Sequence, residues 1–226
     1  MTVFYKWSTD PKFGFAAQTL GGLIAFARQV EPVIARDLLD KSLRARVDPA
    51  LDPFIAKYAS FGLELTVGGS DYPFTLGRDL VAMAVTVLYE RAENHAQAAL
   101  AADQLTSSPL HRVVQLELAL QLDNYQRVLV MTNALNNHGE LDAMALVLRA
   151  VALREVGDTD AALTAFTAAR LTAAQAPAVR NRGLLERARL YTEQGQAAKA
   201  RKDLNIIVAW DSDYPGVREA LAVLDA

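Results

Sequence analysis

Apolar side chains recur at helical spacing along the C-terminal half of the chain, and two stretches there are copies of one another. Residues 146–166 and 184–204 match at a constant offset of 38 positions. Each copy has an apolar helical run, then a glycine (Gly157 or Gly195), then a second helical run. Glycine readily adopts the left-handed conformation that follows a helix C-terminus. Each copy is therefore predicted to be a helical hairpin, which must stack on neighbours to bury its apolar face.

Two weaker copies precede this pair. Counting back 34 positions from Gly157 reaches Asp123, and 30 more reach Glu93. Both positions lie between apolar runs, so we predict two further hairpins there. Residues 217–224 form a last apolar run, which is predicted to be a helix that caps the exposed end of the stack.

Side chains at matching places carry a resemblance to a known family. One copy has Tyr191, Gly195, Ala200 and Leu204, and the other has Ala150, Gly157, Ala162, Phe166 and Ala169. This combination resembles the tetratricopeptide repeat (TPR), and residues 184–221 are similar to the C-terminal repeats of actinobacterial members. The resemblance implies an all-α, TPR-like α-solenoid of about four hairpins, whose concave groove binds peptides, chain termini or partner helices.

The N-terminal third follows other patterns. Residues 13–30 are strongly apolar but are interrupted by polar residues and by the pair Gly21-Gly22. This leaves them short of the roughly 20 apolar residues of a spanning helix. We predict a buried helix here, with a membrane-surface segment as the alternative. The side chains for that alternative are Phe13, Phe15, Leu20, Leu23, Ile24 and Phe26. Residues 31–47 read as an amphipathic helix, and a short helix is predicted to run to Tyr58.

Residues 61–77 break the helical period. Apolar and polar side chains alternate on both sides of a Gly-Gly-Ser-Asp turn at 68–71, which predicts a β-hairpin. The predicted segments are thus 1–60 (helical), 61–77 (β-hairpin) and 78–226 (helical repeats with a C-terminal cap). Gly68-Gly69, Tyr72-Pro73 and Thr75, followed by a repeat, are similar to the β-finger and adjoining repeat of type VII secretion ATPases. That resemblance covers residues 63–105 and implies a shared scaffold only, because the ATPase module is absent.

Composition narrows the function. The chain is 52% hydrophobic, carries a net charge of −3 and has no cysteine, so it has neither a disulfide frame nor the basic face typical of nucleic-acid binding. No catalytic or phosphate-binding motif occurs, and the histidines at 95, 111 and 138 are scattered. The N-terminus lacks a signal-peptide pattern. We expect a cytoplasmic protein without enzyme activity, cofactor, metal or nucleic-acid partner.

The repeat register predicts which side chains line the groove. In TPR proteins the first helix of each hairpin lines the concave face. The predicted groove residues are Met83, Val87, Val113, Glu117, Val147, Val151, Arg154, Arg182, Leu185 and Arg189. Their chemistry predicts an adaptor that binds another protein, or a second copy, through apolar anchors and one acidic end. The alternative, in which residues 13–30 fill the groove, is equally compatible with the sequence.

Overall fold

The computed structural model describes residues 2–225, without the side chains of residues 2, 3 and 5. Most of this range is helical, and a single hairpin of two short strands interrupts it. The elements, in chain order, are α1 (Thr2–Trp7), α2 (Gly14–Ala27), α3 (Pro32–Arg44), a 3-10 turn (Pro49–Leu51), α4 (Pro53–Tyr58), β1 (Gly62–Val67), β2 (Ser70–Thr75), α5 (Arg78–Glu90), α6 (His95–Ala102), α7 (Pro109–Gln121), α8 (Tyr125–Met131), α9 (Glu140–Glu155), α10 (Thr159–Ala168), α11 (Pro177–Glu193), α12 (Ala197–Trp210) and α13 (Val217–Asp225). This architecture confirms the predicted fold class.

The N-terminal elements differ from the sequence-based prediction in detail. Helix α1 lies within the predicted helical segment 1–60 and ends at Trp7, ahead of Pro11, which would block its continuation. Helices α2 and α3 are shorter than the predicted runs 13–30 and 31–47. Among residues 2–225, none of the helices combines the length and apolarity that crossing a membrane requires.

By its internal contacts the chain divides into two compact units. Unit 1 contains the residues up to Val67 together with Asp71–His111, and unit 2 contains Gly68–Ser70 together with the residues from Arg112 onward. Each unit therefore combines segments that are separated in sequence.

In unit 1 the glycines of α2 bring it close to α3. A methyl group at Gly22 would lie 2.5 Å from Leu39 Cγ and 3.2 Å from the Ala35 carbonyl oxygen, so only glycine fits there. The hydroxyls of Thr19 and Ser42 meet at 2.6 Å across the same interface. The polar and glycine interruptions of the apolar run therefore form the α2–α3 contact. Both helices also pack against α5, which pairs with α6.

The β-hairpin has one buried face within unit 1. Leu65, Val67 and Phe74 are buried, whereas the residues that alternate with them are more exposed. The turn residues Gly68 and Gly69 have φ angles of 60° and 87°, which glycine adopts without strain. The predicted hairpin and its turn are both present.

In unit 2 the helices pair as the repeat pattern predicts. Helix α9 packs against α10 and α11 against α12, while α9 also contacts α11 and α13 contacts both α11 and α12. Phe166 and Leu204, which match each other in the sequence copies, are fully buried. The small residues Ala162 and Ala200 are fully buried as well, so the two helices of each hairpin approach closely at these points.

The same joint connects the helices of all four hairpins. Glu93, Asp123, Gly157 and Gly195 all have positive φ angles, between 53° and 83°. At Gly157 the backbone N–H donates to the Arg154 carbonyl (2.9 Å), and the next N–H donates to the Leu153 carbonyl (2.9 Å). The same pair of bonds closes the other three helices, which is the Schellman motif. The two positions found by counting back are therefore structural equivalents of the glycines.

The residue after each joint begins the second helix of the hairpin. Asn94, Asn124 and Asp158 accept a hydrogen bond from a backbone N–H three residues on, as N-cap side chains do. The fourth joint has Gln196 at this place, whose side chain makes no such cap bond. Two consecutive residues thus connect the helices of each hairpin: the first ends one helix, and the second precedes the start of the next.

Candidate interaction surface

The first helices of the hairpins carry the predicted groove residues. Met83 and Val87 lie on α5 in unit 1, where Met83 is buried and Val87 is half-buried. The remaining eight lie in unit 2, on α7, α9 and α11. We describe the unit 2 surface by itself, because it holds most of the predicted residues.

Three of the predicted apolar anchors in unit 2 are core residues. Val113 and Val147 are completely buried, and Leu185 is 6% exposed. Leu185 packs with Leu184, Val217 and their neighbours in the cluster under the C-terminal cap. Among the predicted apolar residues of unit 2, Val151 alone is partly accessible. The accessible first-helix surface of unit 2 is therefore more polar than we predicted from the sequence.

The turn of the β-hairpin lies against the N-terminal halves of the first helices. A methyl group at Gly68 would lie 3.2 Å from the Met144 side chain of α9 and 3.4 Å from Val113 Cγ1 of α7. At Gly69 it would lie 3.1 Å from Ala178 of α11. The small turn residues thus let the backbone approach three successive first helices.

A side-chain hydrogen bond fixes this turn. Ser70 Oγ donates to Glu140 Oε1 at 2.6 Å, at the first residue of α9. Neither Glu140 nor Met144 was singled out from the sequence, because the pairing joins residues 70 positions apart. The turn residues of the hairpin thus pack on the helices of unit 2.

The predicted arginines are held by glutamates of the same surface. Arg154 donates to Glu186 Oε2 at 2.8 Å and to Glu155 Oε1 at 2.6 Å, and its Nε lies 3.7 Å from Glu193 Oε1. Arg189 donates to Glu186 Oε1 at 2.8 Å. We call these five residues the charge network. Its two arginines and three glutamates give it one net negative charge.

Arg154 is the least exposed member of the charge network. Its side chain is 11% exposed, whereas that of Arg189 is 46% exposed. Burial lowers the pKa of Arg154, but the surrounding carboxylates, Glu155 first, outweigh it and leave that pKa above its ordinary value. Arg154 therefore stays charged and connects α9 to α11.

A separate ion pair lies beside the charge network. Arg182 Nη1 bonds to Glu117 Oε1, and both side chains are about one-quarter to one-third exposed. This pair connects α7 to α11. The predicted groove residues Glu117, Arg154, Arg182 and Arg189 thus lie on first helices, and each is paired within the surface.

A second accessible surface lies in unit 1 and consists of aromatic side chains. Trp7, Phe13, Phe54 and Tyr58 form a ladder, with successive ring centroids 6.4, 5.7 and 5.0 Å apart. We call these four residues the aromatic ladder. An open cleft of about 270 Å³ beside it is lined mainly by apolar atoms, including Phe13 and Leu20.

The aromatic ladder only partly matches the residues predicted for membrane contact. Phe13 belongs to it, but Leu23 is completely buried and Phe26 is 6% exposed. These two side chains pack inside unit 1, so the prediction that they face a membrane is wrong. Trp7 and Tyr58, which the sequence pattern did not mark, are 46% and 66% exposed.

The paired helices, their shared joints and the first-helix surface place the molecule among proteins with a TPR-like fold. No protein-family profile and no curated protein matches the sequence. Among solved structures, the chain is similar to the N-terminal domain of the EccA1 ATPase from the ESX-1 secretion system of Mycobacterium tuberculosis. The TM-score is 0.61 at 12% sequence identity, over 94% of this chain and 88% of that one. At this identity the likeness concerns the fold, and it extends well beyond residues 63–105.

Proposed function

We propose that the protein is a non-enzymatic adaptor that binds a peptide or partner helix on the first-helix surface of unit 2. The proposal depends chiefly on one observation: half-buried Val151 lies one helical turn before Arg154 on α9, and the charge network connects α9 to α11. A partner helix binds in a groove through apolar anchors, and arginines beside such an anchor can pair with carboxylates of the partner. The TPR-like fold supports a role in protein interaction in general.

The pairing of the arginines limits how an acidic partner would bind. Arg154 already holds three carboxylates, so it has little capacity for another. Arg182 and Arg189 each use one terminal nitrogen, and their other donors remain for a partner carboxylate. We therefore propose that an acidic end of the partner binds Arg182 and Arg189, whereas Arg154 maintains the surface.

A photo-crosslinking residue at position 151 tests the location of the surface. Val151 is half-buried on α9, whereas Val130 on α8 is 69% exposed and serves as the control position. In cells of the source organism, the adaptor proposal predicts a discrete crosslinked protein from position 151 and none from position 130. The same products from both positions would contradict the proposed surface.

An arginine reversal tests the charge requirement. Arg189→Glu removes a 46% exposed side chain from α11, and Arg201→Glu removes a 44% exposed, similarly paired arginine from α12. We expect only the first variant to lose the crosslink at position 151. If Arg201→Glu also abolishes the crosslink at position 151, the loss is caused by the change in net charge, and the proposed role of Arg189 is wrong.

A membrane-surface scaffold is the second candidate, and the exposed aromatic ladder favours it. Aromatic side chains and lysines are the residues that anchor proteins at the lipid headgroup level. Lys12 lies over the Phe13 ring at 5.3 Å and Lys57 over the Tyr58 ring at 5.1 Å. Each such lysine contributes about 1 kcal/mol of attraction to an anionic surface.

Flotation with vesicles that contain phosphatidylserine tests this candidate. Trp7→Ala combined with Tyr58→Ala should abolish flotation, because both side chains protrude from unit 1. Trp210→Ala is the matched control, since Trp210 is as exposed as Tyr58 (66%) but belongs to unit 2. Absence of flotation by the unmodified protein, or equal loss in the control, would exclude the membrane-surface role.

A further inference from the structure

A pocket in unit 1 combines an apolar floor with two arginines. It has a volume of about 300 Å³ and lies where the end of α2, the start of α3 and the end of α5 meet. Phe26 and Leu88 form its buried floor, and Val30 and Val33 form its rim. Arg36 and Arg91 also line it, and no acidic residue does. We call this cavity the two-arginine pocket.

Both guanidinium groups are held in place without an acidic partner. Arg36 Cζ lies over the Tyr89 ring, 5.2 Å from its centroid, and Arg91 Cζ lies over the Phe26 ring, 5.7 Å from its centroid. Within residues 2–225, neither has a carboxylate at ion-pairing distance. Asp40, one turn after Arg36, is bonded to Arg44 and to the Tyr89 hydroxyl instead. A cation–π contact places the positive charge over the ring and needs no acceptor atom, so the N–H groups of both arginines can still donate to a carboxylate.

The rim of the two-arginine pocket is apolar although water can reach it. Val30 is 43% exposed and Val33 is 66% exposed. The backbone N–H of Val30 donates to the Ala25 carbonyl at 3.0 Å, which fixes this side of the rim to the end of α2. Gln29 and Glu31 on either side have φ angles of 53° and 48°. Such left-handed residues each cost about 1–2 kcal/mol, so the surrounding contacts hold the loop in this form.

We propose that the two-arginine pocket binds a carboxylate that is attached to a compact aliphatic group. The carboxylate would accept hydrogen bonds from Arg36 and Arg91, and the aliphatic part would cover Val30, Val33 and Leu88. A volume near 300 Å³ is at the lower limit for ligand pockets, so the ligand is small. This chemistry occurs in the C-terminal residue of a peptide and in a free aliphatic acid. The site does not depend on the function proposed for unit 2.

Fluorescence polarisation on the full chain tests the proposal. The probe is a dansyl-labelled Gly-Ser-Gly-Ser-Leu peptide with a free C-terminal carboxylate, compared with the same peptide as its C-terminal amide. We expect the free acid to bind about tenfold more tightly or better, as a charge-assisted bidentate contact provides. Equal binding of acid and amide, or no binding of either, would overturn the proposal.

Matched arginine variants locate the interaction, and a competitor identifies the source of the carboxylate. Arg36→Gln combined with Arg91→Gln should reduce binding of the free acid to the level of the amide. Arg28→Gln removes an exposed arginine that does not line the pocket and should leave binding unchanged. An equal loss in Arg28→Gln would overturn the assignment. Displacement by octanoate would identify a free acid as ligand, whereas displacement only by unlabelled peptide would identify a chain terminus.

Discussion

Replacing Glu93 by glycine should stabilise the protein. Glu93 occupies the left-handed position at the joint between α5 and α6, with φ of 55°. A non-glycine residue in this conformation costs about 1–2 kcal/mol, whereas glycine adopts it freely. Glycine also loses more backbone entropy on folding, which offsets about 0.5–1 kcal/mol of the gain. Taking the middle of each range, we expect a net increase of about 0.8 kcal/mol in the free energy of unfolding.

The converse change, Gly157→Ala, provides the matched test. The added methyl group would have no atom within 4 Å, so backbone strain at φ of 83° is the main cost. It should destabilise the protein by about 1 kcal/mol. Asp123 is less suitable than Glu93, since its carboxylate accepts a hydrogen bond from the Tyr125 hydroxyl.

Urea unfolding at 25 °C, followed by circular dichroism, measures both changes. With a denaturant slope near 2 kcal/mol per M, Glu93→Gly should raise the unfolding midpoint by about 0.2–0.5 M. Gly157→Ala should lower it by a similar amount. A lower midpoint for Glu93→Gly would show that the Glu93 side chain stabilises the joint. Our conclusion that the four joints are equivalent would then be wrong.

Three further changes have defined outcomes. Gly22→Ala should cost about 1–3 kcal/mol in urea unfolding, because its methyl group overlaps the α3 side chains across the helix contact. Asp203→Ala should lower the free energy of unfolding by about 2–4 kcal/mol, because it leaves Arg187 without its bidentate partner. The control is Asp213→Ala at an exposed ion pair, which should change the free energy of unfolding by no more than about 0.5 kcal/mol. Burial lowers the pKa of His111 below its ordinary value of 6.5, although Asp79 raises it in part. As the pH falls, His111 is therefore protonated in the unfolded chain before it is protonated in the folded one. Melting temperatures should therefore fall from pH 7 towards pH 5, and His111→Asn should flatten that dependence.

The repeat register could be predicted from the sequence because the joints obey local rules. Each joint is a left-handed residue followed by a capping residue, as at Gly157-Asp158. The hydrogen bonds that form it involve only residues a few positions away, so the local sequence is enough to locate it. The unequal spacings of 30, 34 and 38 have a simple origin in the helices between the joints. The first helices α7, α9 and α11 contain 13, 16 and 17 residues, and the second helices α6, α8 and α10 contain 8, 7 and 10. The longer α9 and a longer connection before it account for the step from 30 to 34, and the longer α10 accounts for most of the step from 34 to 38.

The character of the surface could not be predicted in the same way. The arginines at 154, 182 and 189 led us to expect a partner with an acidic end, but each of them is paired with a glutamate of the chain itself. Glu117 is 65 residues from Arg182, and Glu186 is 32 residues from Arg154. Which carboxylate meets which guanidinium depends on how α7, α9 and α11 pack. The apolar residues Val113 and Val147 were likewise placed on the correct helices, but their burial follows from contacts between helices that no local pattern records.

The contacts of the hairpin turn also bear on the order in which the molecule assembles. Helical hairpins close contacts between neighbours in sequence, and such contacts form early and fast. The bond from Ser70 to Glu140 closes a loop of 70 residues, and the neighbouring contact of Gly69 with Ala178 closes a longer one. Ribosomal synthesis delivers the turn long before α9 and α11 exist, so residues 68–70 can take their places only after those helices have formed. Unit 2 therefore includes a segment that is synthesised well before the helices on which it rests.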